Sequence, residues 1–554
     1  MLAQLEFKDA EARPARVVVA FDGFLSDIES LRAELPSGFV AATAAAEIVA
    51  QLYLAFGPER LDRLTGHYAL CVIDERSCSV RAWRDRLGGR ALYWTRSGNG
   101  IALATNSACL ARLKPATFHE ETRFIARRLS LQSNRDAELT AFSGVREVLP
   151  GERLSYVNGK LARNRRPFTL GHVQPDLSVD GWVERFGETL GQSVTDTLGE
   201  TGAVAVMLSG GLDSGPMALL AQQQLAVTER ELIATSWFLP QHPQADESRW
   251  IQLLCRELGL PLHAFDGEQL PAYGDLDCGV ISPEVPAYNP YRGLINHCYA
   301  SAAAAGCSVI LNGNAGDHLY PPWRLFLIDQ WRRRGLRAVA ATLTAIRRAR
   351  GWRALLQDRA VRHPIGRLLP YRRRPPPPHW LTPWAAEQLA EPSLPWPPEA
   401  DEHPFPDYAR QLLGRPMTFG RAQENNTVHA YGLERRDAYH NEAFVRLMLE
   451  MPFDLSFRAG QDKWIMRRIM IGRLPEPLRS KRRTGLLNSF SAGGFELNRR
   501  LIIELLFNRN REWQRYVKAE FVRSALGASP TTEKDRLVIT QCIGYALWRE
   551  YWEG

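Results

Sequence analysis

The chain has no long hydrophobic run: no apolar stretch reaches the roughly 18 to 20 residues that a membrane-spanning helix needs. Its first residues, MLAQLEFKDAEARP, have no basic flank, apolar core or small-residue cleavage site, so they do not predict a secretory signal. The eight cysteines include no CxxC pair, which argues against disulfides and a zinc site and favours free thiols in a reducing compartment. We therefore expect a cytoplasmic protein without a membrane span.

Lysine is absent between Pro321 and Trp380, where the chain carries fifteen arginines and only two acids, Asp329 and Asp358. The whole chain has a net charge of +8, and this segment concentrates it. Two interpretations stay open. The arginines form the solvated face of a helical insertion, or they bind an acidic partner such as a peptide, an RNA or an anionic membrane. The prolines Pro375–Pro378 predict a linker or loop, since proline cannot continue a helix.

The length of 554 residues is too great for one hydrophobic core and predicts at least two domains. Up to about residue 165 the sequence is β-rich, with one helix at AAEIVAQLYLAFG. The predicted strands there are VVVAFDGF, HYALCVIDE, SVRAWRD and ALYWTR. Beyond residue 180, strands alternate with helices, which predicts a mostly parallel sheet with helices on both faces. These strands are Ala203–Met207, Leu232–Phe238, Leu262–Phe265 and Cys307–Leu311. After Pro322 the chain is predicted to be largely helical.

The segment LSGGLDS, Leu208–Ser214, follows the first of these strands and precedes a helix. Its glycines let successive N–H groups point inward, and the helix adds its positive end, which together predict an anion cradle. Asp213 would repel a bare phosphate, so its presence predicts a Mg²⁺ ion between carboxylate and phosphate. The GxxxxGK[ST] spacing of a Walker loop is absent, which argues against phosphoryl transfer. The residues expected to bind ATP or its pyrophosphate are Leu208, Ser209, Gly210, Gly211, Asp213, Ser214, Ser236 and Gly313.

A second segment, VILNGNAGDHLY, also follows a predicted strand and is rich in small residues. Open α/β sheets bind ligands at the carboxyl ends of their strands, so Asp317 is predicted as the second Mg²⁺ ligand, with Asp213 as the first.

These motifs resemble those of the asparagine synthetase family, whose pyrophosphate loop serves the conversion of ATP to AMP and pyrophosphate by adenylation of a substrate. The N-terminal part contributes LTGHYALCVID and RDRLGGRALYW. The C-terminal part contributes SGGLDS, ADESRW, GNAGDH, YGLERRDAYHN and LPEPLRSKRRTGLLNS. The resemblance implies an α+β glutaminase-like β-sandwich flanked by helices over residues 1–170. It also implies, over residues 180–554, an adenine-nucleotide α-hydrolase-like parallel sheet, giving an α/β chain overall. A helical C-terminal region would hold the arginine-rich insertion at about 321–380. ATP and Mg²⁺ are the implied cofactors.

The sequence departs from this family at position 2. Glutamine-using members begin Met-Cys and use the exposed cysteine as a nucleophile. Here position 2 is Leu2, and no cysteine occurs before Cys71. We therefore expect no glutaminase activity and no use of ammonia. This pattern resembles β-lactam synthetases and lasso-peptide cyclases, which close a ring with an amine already present in the substrate.

A second departure concerns the base. Three residues before the second Mg²⁺-binding aspartate, β-lactam synthetases have a tyrosine that pairs with a glutamate, and asparagine synthetases have a glutamate. This chain has Asn314, which cannot act as a base. A peptide α-amine has a pKa of about 7.7–8.0 and needs less help to lose a proton, which favours a peptide N-terminus as nucleophile.

Four residues are candidates for catalysis by this resemblance. Lys481 and Arg483 in RSKRRTGLL compete for the role of the cation that neutralises the adenylate and transition state. Glu424 lies near the β-lactam synthetase glutamate, and it either orients the nucleophile or faces a helix partner. His318 is either a base or a hydrogen-bonding residue behind the site. The resemblance places Glu434 within the helical packing around the site, in a structural role.

The function favoured by the sequence is that of a lasso-peptide cyclase, which adenylates an Asp or Glu side chain of a precursor peptide and joins it to the N-terminal amine. The implied partners are the precursor peptide, a leader-peptide-binding protein and a leader peptidase, with no nucleic acid. Two alternatives stay open: a small-molecule amide ligase of the β-lactam synthetase type, and a catalytically weak nucleotide-binding scaffold that presents a peptide to other proteins.

Overall fold

The computed structural model describes residues 2–8, 14–37, 44–113, 119–131, 138–170, 177–200, 202–277, 282–313, 315–321, 323–357, 376–389, 396–458, 461–481, 485 and 487–553. Asn314 and Arg483 lie outside the described residues. The described chain is a mixed α/β structure with both antiparallel and parallel sheets.

Antiparallel strands dominate the N-terminal part. Six of its described strands form one sheet in the order β1-β2-β3-β4-β8-β9, and three form another in the order β6-β5-β7. All of the quoted runs predicted as strands fall in β2 to β5, so those predictions are confirmed. The strands are β1 (Leu2–Lys8), β2 (Pro14–Leu25), β3 (Gly66–Asp74), β4 (Ser79–Arg84), β5 (Tyr93–Ser97), β6 (Gly100–Ala104), β7 (Arg146–Glu147), β8 (Glu152–Val157) and β9 (Lys160–Arg165).

The two antiparallel sheets pack against each other through small and aliphatic side chains. Ala69, Ala82 and Leu154 of the larger sheet share a buried cluster with Trp94 and Leu103 of the smaller one. The predicted helix, Ala45–Phe56, is confirmed and packs on β2. The described helices of this part are Ile28–Glu34, Ala45–Phe56, Pro58–Leu61, Ser107–Arg112 and Thr122–Leu129.

A five-stranded parallel sheet forms the centre of the C-terminal part, in the order β12-β11-β10-β13-β14. Its strands are β10 (Ala203–Met207), β11 (Leu232–Phe238), β12 (Leu262–Asp266), β13 (Cys307–Leu311) and β14 (Glu434–Arg436). The four predicted strands are confirmed, with one extra residue on β12. The fifth strand was not predicted, because its sequence, Glu-Arg-Arg, has no apolar run.

Helices cover both faces of this sheet, as the alternation of strands and helices predicts. Val204 and Val206 of β10 join the large core on one face, while Ala205 between them joins a smaller core on the other. The helices Val179–Thr197, Ser214–Val227 and Ser248–Leu258 contribute to the first core, and Arg292–Ala304 contributes to the second.

The strand order reverses beside β10. The chain adds β11 and β12 on one side of β10 and then crosses to place β13 on the other side. A crevice opens at such a reversal, outside the carboxyl ends of the strands. The loops that follow β10 and β13 are the two segments that the sequence singles out as binding elements.

The chain beyond β13 is mainly helical, as predicted. A short hairpin, β15 (Phe457–Arg458) and β16 (Gln461–Asp462), interrupts it. The described α-helices are Gly316–Leu319, Trp323–Gln357, Pro383–Gln388, Pro406–Leu413, Arg415–His429, Glu442–Glu450, Trp464–Ile469, Glu476–Arg479, Asn488–Leu497, Arg499–Ile503, Ala519–Gly527 and Glu533–Glu553. A π-helical turn spans Glu504–Arg509, and 3-10 turns occupy Gly267–Gln269, Pro398–Glu402, Ala438–His440, Phe453–Leu455 and Glu512–Arg515.

Contacts across the two parts tie them together. Tyr516 and Tyr545 both donate hydrogen bonds to Glu120, over 2.6 and 2.8 Å. The Asn425 side chain donates to the Gly89 carbonyl over 3.0 Å. These bonds hold the N-terminal part against the C-terminal helices and their connecting segments.

The described part of the arginine-rich insertion is the helical segment Trp323–Gln357, with backbone breaks at Gly335 and Gly351. Arg332 donates to the Pro404 carbonyl over 3.0 Å, and Arg334 forms a 2.9 Å ion pair with Asp454. These two arginines therefore attach the insertion to the body of the protein, and neither is simply part of a solvated face.

Within the described residues, no helix combines the length and apolar character needed to cross a bilayer. The seven described cysteines form no disulfide.

Candidate active site

The loop Leu208–Ser214 leaves β10 at the carboxyl edge of the parallel sheet. The hydroxyl of Ser236 donates to the Leu208 carbonyl over 2.7 Å. The Ser214 hydroxyl accepts the Ser209 N–H over 3.1 Å and lies 3.2 Å from the Ser209 hydroxyl. These bonds fix the loop at its start and its end. Ser236 is buried and supports the loop from behind, and its predicted role in ATP binding stays a prediction.

Gly210 takes a left-handed backbone angle, with φ of +62°. A Cβ atom at this position would lie 2.8 Å from the Cβ of Trp250, which is closer than carbon atoms approach. Glycine is therefore required there by both backbone angle and packing. The turn exposes the Gly210 carbonyl, which accepts a hydrogen bond from the Lys481 ammonium over 3.2 Å.

Lys481 lies beside this loop, as predicted. Its ammonium also pairs with Glu247 and stands 5.3 Å from the centre of the Trp250 ring. Glu247 in turn accepts the Gly485 N–H over 2.6 Å, which draws the segment after Lys481 onto the loop. Of the two cations proposed for neutralising the adenylate, the one that lies in the described residues is therefore positioned at the cradle.

Asp213 and Asp317, the two predicted metal ligands, converge on one side chain. The Lys463 ammonium lies 2.7 and 2.5 Å from the two carboxylate oxygens of Asp213 and 2.6 Å from Asp317. Asp213 directly precedes the helix Ser214–Val227 after β10, and Asp317 lies in the short helix Gly316–Leu319 after β13. The reversal of strand order therefore brings together two carboxylates that are far apart in sequence.

Burial and charge perturb this cluster strongly. Burial raises the pKa of Asp213 to about 6, with a further rise from Asp317 and an opposing effect of Lys463. For Lys463, burial lowers the pKa, but the two carboxylates outweigh it and the net shift is upward. The side chain of Asp317 is 76% exposed, whereas that of Asp213 is 16% exposed. The cluster therefore has one anchored carboxylate and one that faces the solvent.

Glycines allow the second loop to approach the first. A Cβ atom at Gly316 would lie 2.4 Å from the Asp213 carboxylate, and one at Gly313 would lie 3.0 Å from the Ser214 nitrogen. A larger residue at Gly316 would push the loop away from Asp213. Gly313 thus lies close to the start of the helix Ser214–Val227, and its predicted role in binding ATP or pyrophosphate stays a prediction.

The donors at this cluster fit a Mg²⁺ ion that is shared with phosphate groups. Mg²⁺ commonly binds one or two carboxylates and takes its remaining ligands from substrate phosphates and water. The structure offers two carboxylates, and the described residues hold no group of three or more acidic, His or Cys side chains that could form a closed metal site. Asp213 and Asp317 are the residues that would hold the ion.

A cavity of about 830 Å³ adjoins the second loop, with Ala315 and His318 in its wall. The rest of the wall comes from the segment Ser282–Asn296, the helix Arg415–His429, the region after it, and Asn106 and Arg128 of the N-terminal part. This volume lies toward the upper end of the range for small-molecule sites, roughly 300–1,000 Å³.

Glu424 lines this cavity and is held by two partners. Arg292 donates to both carboxylate oxygens, over 3.1 and 2.6 Å, and the Tyr299 hydroxyl donates over 2.9 Å. Burial would raise the pKa of Glu424, but the bonds and charge of Arg292 keep it below the usual value. Of the two roles left open by the sequence, this pairing favours contact with a neighbouring helix, because Arg292 begins the helix Arg292–Ala304.

His318 is exposed and lies at the cavity wall beside Asp317. Its backbone carbonyl accepts a bond from Gln411 over 2.7 Å. Both of its predicted roles, as a base and as a hydrogen-bonding residue behind the site, stay predictions.

Glu434 lies in β14, the edge strand of the parallel sheet, and this strand packs against the helix Arg415–His429. Its carboxylate pairs with Arg90 of the N-terminal part and with Arg436, which bears out a structural role.

Lys463 was missed by the sequence reasoning. Its signal is compositional, since the chain has 69 basic residues of which only seven are lysines. Two of these seven, Lys463 and Lys481, meet at the cradle. In a chain that uses arginine almost everywhere, the two lysines at this loop present a compact ammonium where an arginine would present a planar guanidinium.

Two family profiles match this chain. The profile described as asparagine synthase matches residues 185–550. The profile described as glutamine amidotransferase domain matches residues 2–168.

Individual proteins match this chain at low sequence identity and over only part of their length. The chain is 28% identical to amidase chry2 of Gibberella zeae over 324 residues, which is 56% of this chain and 47% of that protein. It is 24% identical to asparagine synthetase [glutamine-hydrolyzing] 3 of Bacillus subtilis over 205 residues, or 37% of this chain and 33% of that one. The chain thus spans half or less of the length of these relatives.

A solved structure of glutamine phosphoribosylpyrophosphate amidotransferase from B. subtilis aligns with 47% of this chain and 63% of its own, at 16% identity and a TM-score of 0.22. That score is too low to support an argument. The asparagine synthase profile covers well over half of the chain, and it spans the cradle, the two carboxylates and both lysines. The chain belongs to the asparagine synthase family.

Proposed function

We propose that this protein is an ATP-dependent amide ligase that forms AMP and pyrophosphate. The observation that carries the proposal is the convergence of Asp213 and Asp317 on Lys463 beside the loop Leu208–Ser214. This is a site with fixed N–H donors, two carboxylates and two ammonium groups. It suits a triphosphate that is cleaved between its α- and β-phosphates while a carboxylate attacks.

Each group at this site would have a role that follows from its charge. Bound Mg²⁺ would supply the positive charge that lets a phosphate chain lie beside two carboxylates. The loop N–H groups and the start of the helix Ser214–Val227 would hold the pyrophosphate. Lys463 and Lys481 would balance the negative charge that builds up as the acyl-adenylate forms and as it is attacked.

More specifically, we propose that the ligase closes a macrolactam in a precursor peptide, as a lasso-peptide cyclase does. Three observations support this. Leu2 stands where glutamine-using members have cysteine, so the nitrogen would come from the substrate. The cavity of about 830 Å³ next to Asp317 lies toward the upper end of the range for small-molecule sites, so it has room for the reacting end of a peptide. Its wall is shared by the N-terminal part, which gives that part a role without glutamine hydrolysis.

The test is incubation of the purified protein with ATP, a linear precursor peptide, a leader-peptide-binding protein and a leader peptidase. A cyclic product that has lost one water, seen by mass spectrometry and absent without ATP, is expected. Formation of an amide only from small amino acids would contradict the cyclase assignment and favour a small-molecule ligase. Binding of nucleotide with no amide product from either substrate class would favour a scaffold.

We expect no glutaminase activity, although a glutamine amidotransferase profile matches residues 2–168. The first cysteine in the chain, Cys71, lies within β3, where burial raises the pKa of its thiol to about 12. A thiol in that state is not a nucleophile at neutral pH. Purified protein with glutamine should release no more glutamate than a heat-killed control, with or without ATP. Glutamate release that scales with protein concentration would show that the N-terminal domain is catalytic.

The arginine-rich insertion is expected to bind an acidic segment of the precursor peptide. Because Arg332 and Arg334 attach the insertion to the body, Arg337 and Arg348, which are exposed, are the better sites to change. Replacing both with alanine should weaken peptide binding at low salt by about 2- to 30-fold, from roughly 0.2–1 kcal/mol for each exposed charge pair, and should flatten the salt dependence.

The matched control for this change is Arg500→Ala, an exposed arginine on the helix Arg499–Ile503. Affinity is measured by calorimetry at two salt concentrations. An equal loss of peptide affinity in the control, or no loss in the double variant, would contradict the proposal and indicate that these arginines only form a solvated face.

A further inference from the structure

Three carboxylates face the cavity of about 830 Å³: Glu284, Glu424 and Asp437. Two of them have a cationic partner. Glu424 is held by Arg292, and Asp437 lies 3.3 Å from Arg435. Within the described residues, Glu284 has no ion-pair partner. The cavity therefore has two neutralised acids and one whose charge is left for a ligand.

Neutral donors hold Glu284 in a fixed position. Its Oε1 accepts the Ser107 N–H of the N-terminal part over 2.9 Å, and its Oε2 accepts a bond from the Asn426 side chain. The residue is 2% exposed. Hydrogen bonds from neutral groups orient a carboxylate but do not cancel its charge, and a buried, uncompensated charge is unfavourable.

The segment that carries Glu284 is clamped from both sides. Arg128 of the N-terminal part donates to the Pro286 carbonyl over 2.7 Å. On the other side, Trp548 and Trp552 of the last helix donate to the Pro283 carbonyl over 3.0 and 2.9 Å. The carboxylate is therefore presented to the cavity by a rigid support, which an acid that receives a substrate group requires.

The pKa values of Glu284 and Glu424 are shifted in opposite directions. Burial raises the pKa of Glu284 to about 7, and the negative charge of Glu147 contributes to the rise. Arg292 lowers the pKa of Glu424. A carboxylate with a pKa near the working pH exchanges protons readily, whereas one tied to an arginine does not.

We propose that Glu284 binds the attacking amine of the substrate in this cavity and takes its proton as the amide bond forms. The proposal rests on the proposed ligase function. The amine nitrogen attacks the carbonyl carbon of the acyl-adenylate, and a C–N bond forms. The bond from that carbon to the AMP oxygen breaks, AMP leaves with the electron pair, and the proton of the nitrogen passes to a Glu284 oxygen. One carboxylate becomes neutral as one phosphate oxygen becomes charged, so the charge balances.

Other charged groups face the same cavity, and the effect of Glu284 on a pH profile must be distinguished from theirs. They are Arg128, Arg292, Arg435, Glu424, Asp437 and His318. Glu284 acts as a base only when ionised, so its contribution is present above its pKa and is lost as the pH falls through about 7. A variant without this carboxyl group should lack that step in its profile, whatever the other groups do.

The test compares Glu284→Gln with wild type on a linear peptide that has a free N-terminus. Amide formation should fall by about 10²- to 10⁴-fold, the usual contribution of a general base, and its dependence on pH around 7 should disappear. Hydroxylamine, which is largely uncharged at neutral pH, should still give hydroxamate from both proteins, because adenylation is intact. The matched control is Glu450→Gln, a buried glutamate of raised pKa that does not line the cavity. It should behave as wild type.

Binding without ATP gives a readout independent of ligation. By calorimetry, N-acetylation of the peptide should weaken its binding to wild type, and Glu284→Gln should bind both forms alike. Equal amide formation by wild type and Glu284→Gln, or equal loss on acetylation in both proteins, would overturn the proposal. If only binding behaves as expected and wild type forms no amide, Glu284 is an amine-binding residue and the ligase function is wrong.

Discussion

Replacing Lys481 with methionine is expected to lower the rate of amide formation by about 10²- to 10³-fold, the usual loss when one donor that stabilises a developing charge is removed. The Lys481 ammonium is fixed against the Gly210 carbonyl and Glu247, beside the loop that would hold the phosphates. Negative charge grows on the acyl oxygen as the amine adds, so a cation placed there stabilises the transition state more than the ground state. ATP binding should change little. The measurement is the rate of product formation at saturating ATP, by mass spectrometry.

Two further variants make this result specific. Arg483→Met should be milder, because a compact ammonium follows a moving charge better than a planar guanidinium. Lys160→Met is the matched control, since Lys160 is exposed on β9 of the N-terminal sheet. Full activity in Lys481→Met together with loss in Arg483→Met would reverse the assignment of the cation.

Replacing Asp213 with asparagine is expected to remove Mg²⁺-dependent turnover, by at least about a hundredfold, because a metal that stabilises charge contributes several kcal/mol. Asp213 is the anchored carboxylate of the pair, with its backbone carbonyl held by the Tyr439 hydroxyl over 2.6 Å. Asparagine keeps the shape but lacks the charge that would bind Mg²⁺ and that pairs with Lys463. Asp317→Asn should have the same effect on turnover, with less effect on stability because Asp317 is mostly exposed.

The measurement is the turnover rate as a function of Mg²⁺ concentration, and thermal unfolding is recorded for each variant. Asp180→Asn, an exposed aspartate in the first turn of the helix Val179–Thr197, is the control. If Asp213→Asn folds and keeps the wild-type Mg²⁺ dependence, the carboxylate pair is not the metal site.

The parts of the site that sequence could predict are those made by neighbouring residues. The loop Leu208–Ser214 follows directly from a strand, two glycines and a helix start, and Asp317 follows from the same pattern after β13. Both depend on local geometry and on the rule that parallel strands bring their carboxyl ends to one edge.

The parts that sequence could not predict are made by residues distant in the chain. Lys463 meets Asp213 across 250 positions, and Arg292 meets Glu424 across 132. Ser107 meets Glu284 across 177. No periodicity or spacing encodes such pairs, because they arise only when the sheet and the helices around it are assembled. The short strand β14 was not predicted because its three residues are all charged, and the Arg90 side chain that pairs with Glu434 lies 344 positions away.

The arginines of the insertion also have roles that depend on residues distant in the chain. Composition predicts either a solvated face or a binding surface, and the structure adds a third use, since Arg332 and Arg334 join the insertion to Pro404 and Asp454. The arginines of this run therefore fall into two groups, those that contact the body of the protein and those that are exposed. The sequence alone does not distinguish them, because the contacts form only in the folded chain.

The most direct test of the account is the identity of the nucleotide products. Protein, ATP, Mg²⁺ and a linear precursor peptide are incubated, and the phosphorus-containing products are separated and counted against the amide formed. The account predicts one AMP and one pyrophosphate for each amide, with none formed by Asp213→Asn. ADP and inorganic phosphate in a one-to-one ratio with the amide would contradict it.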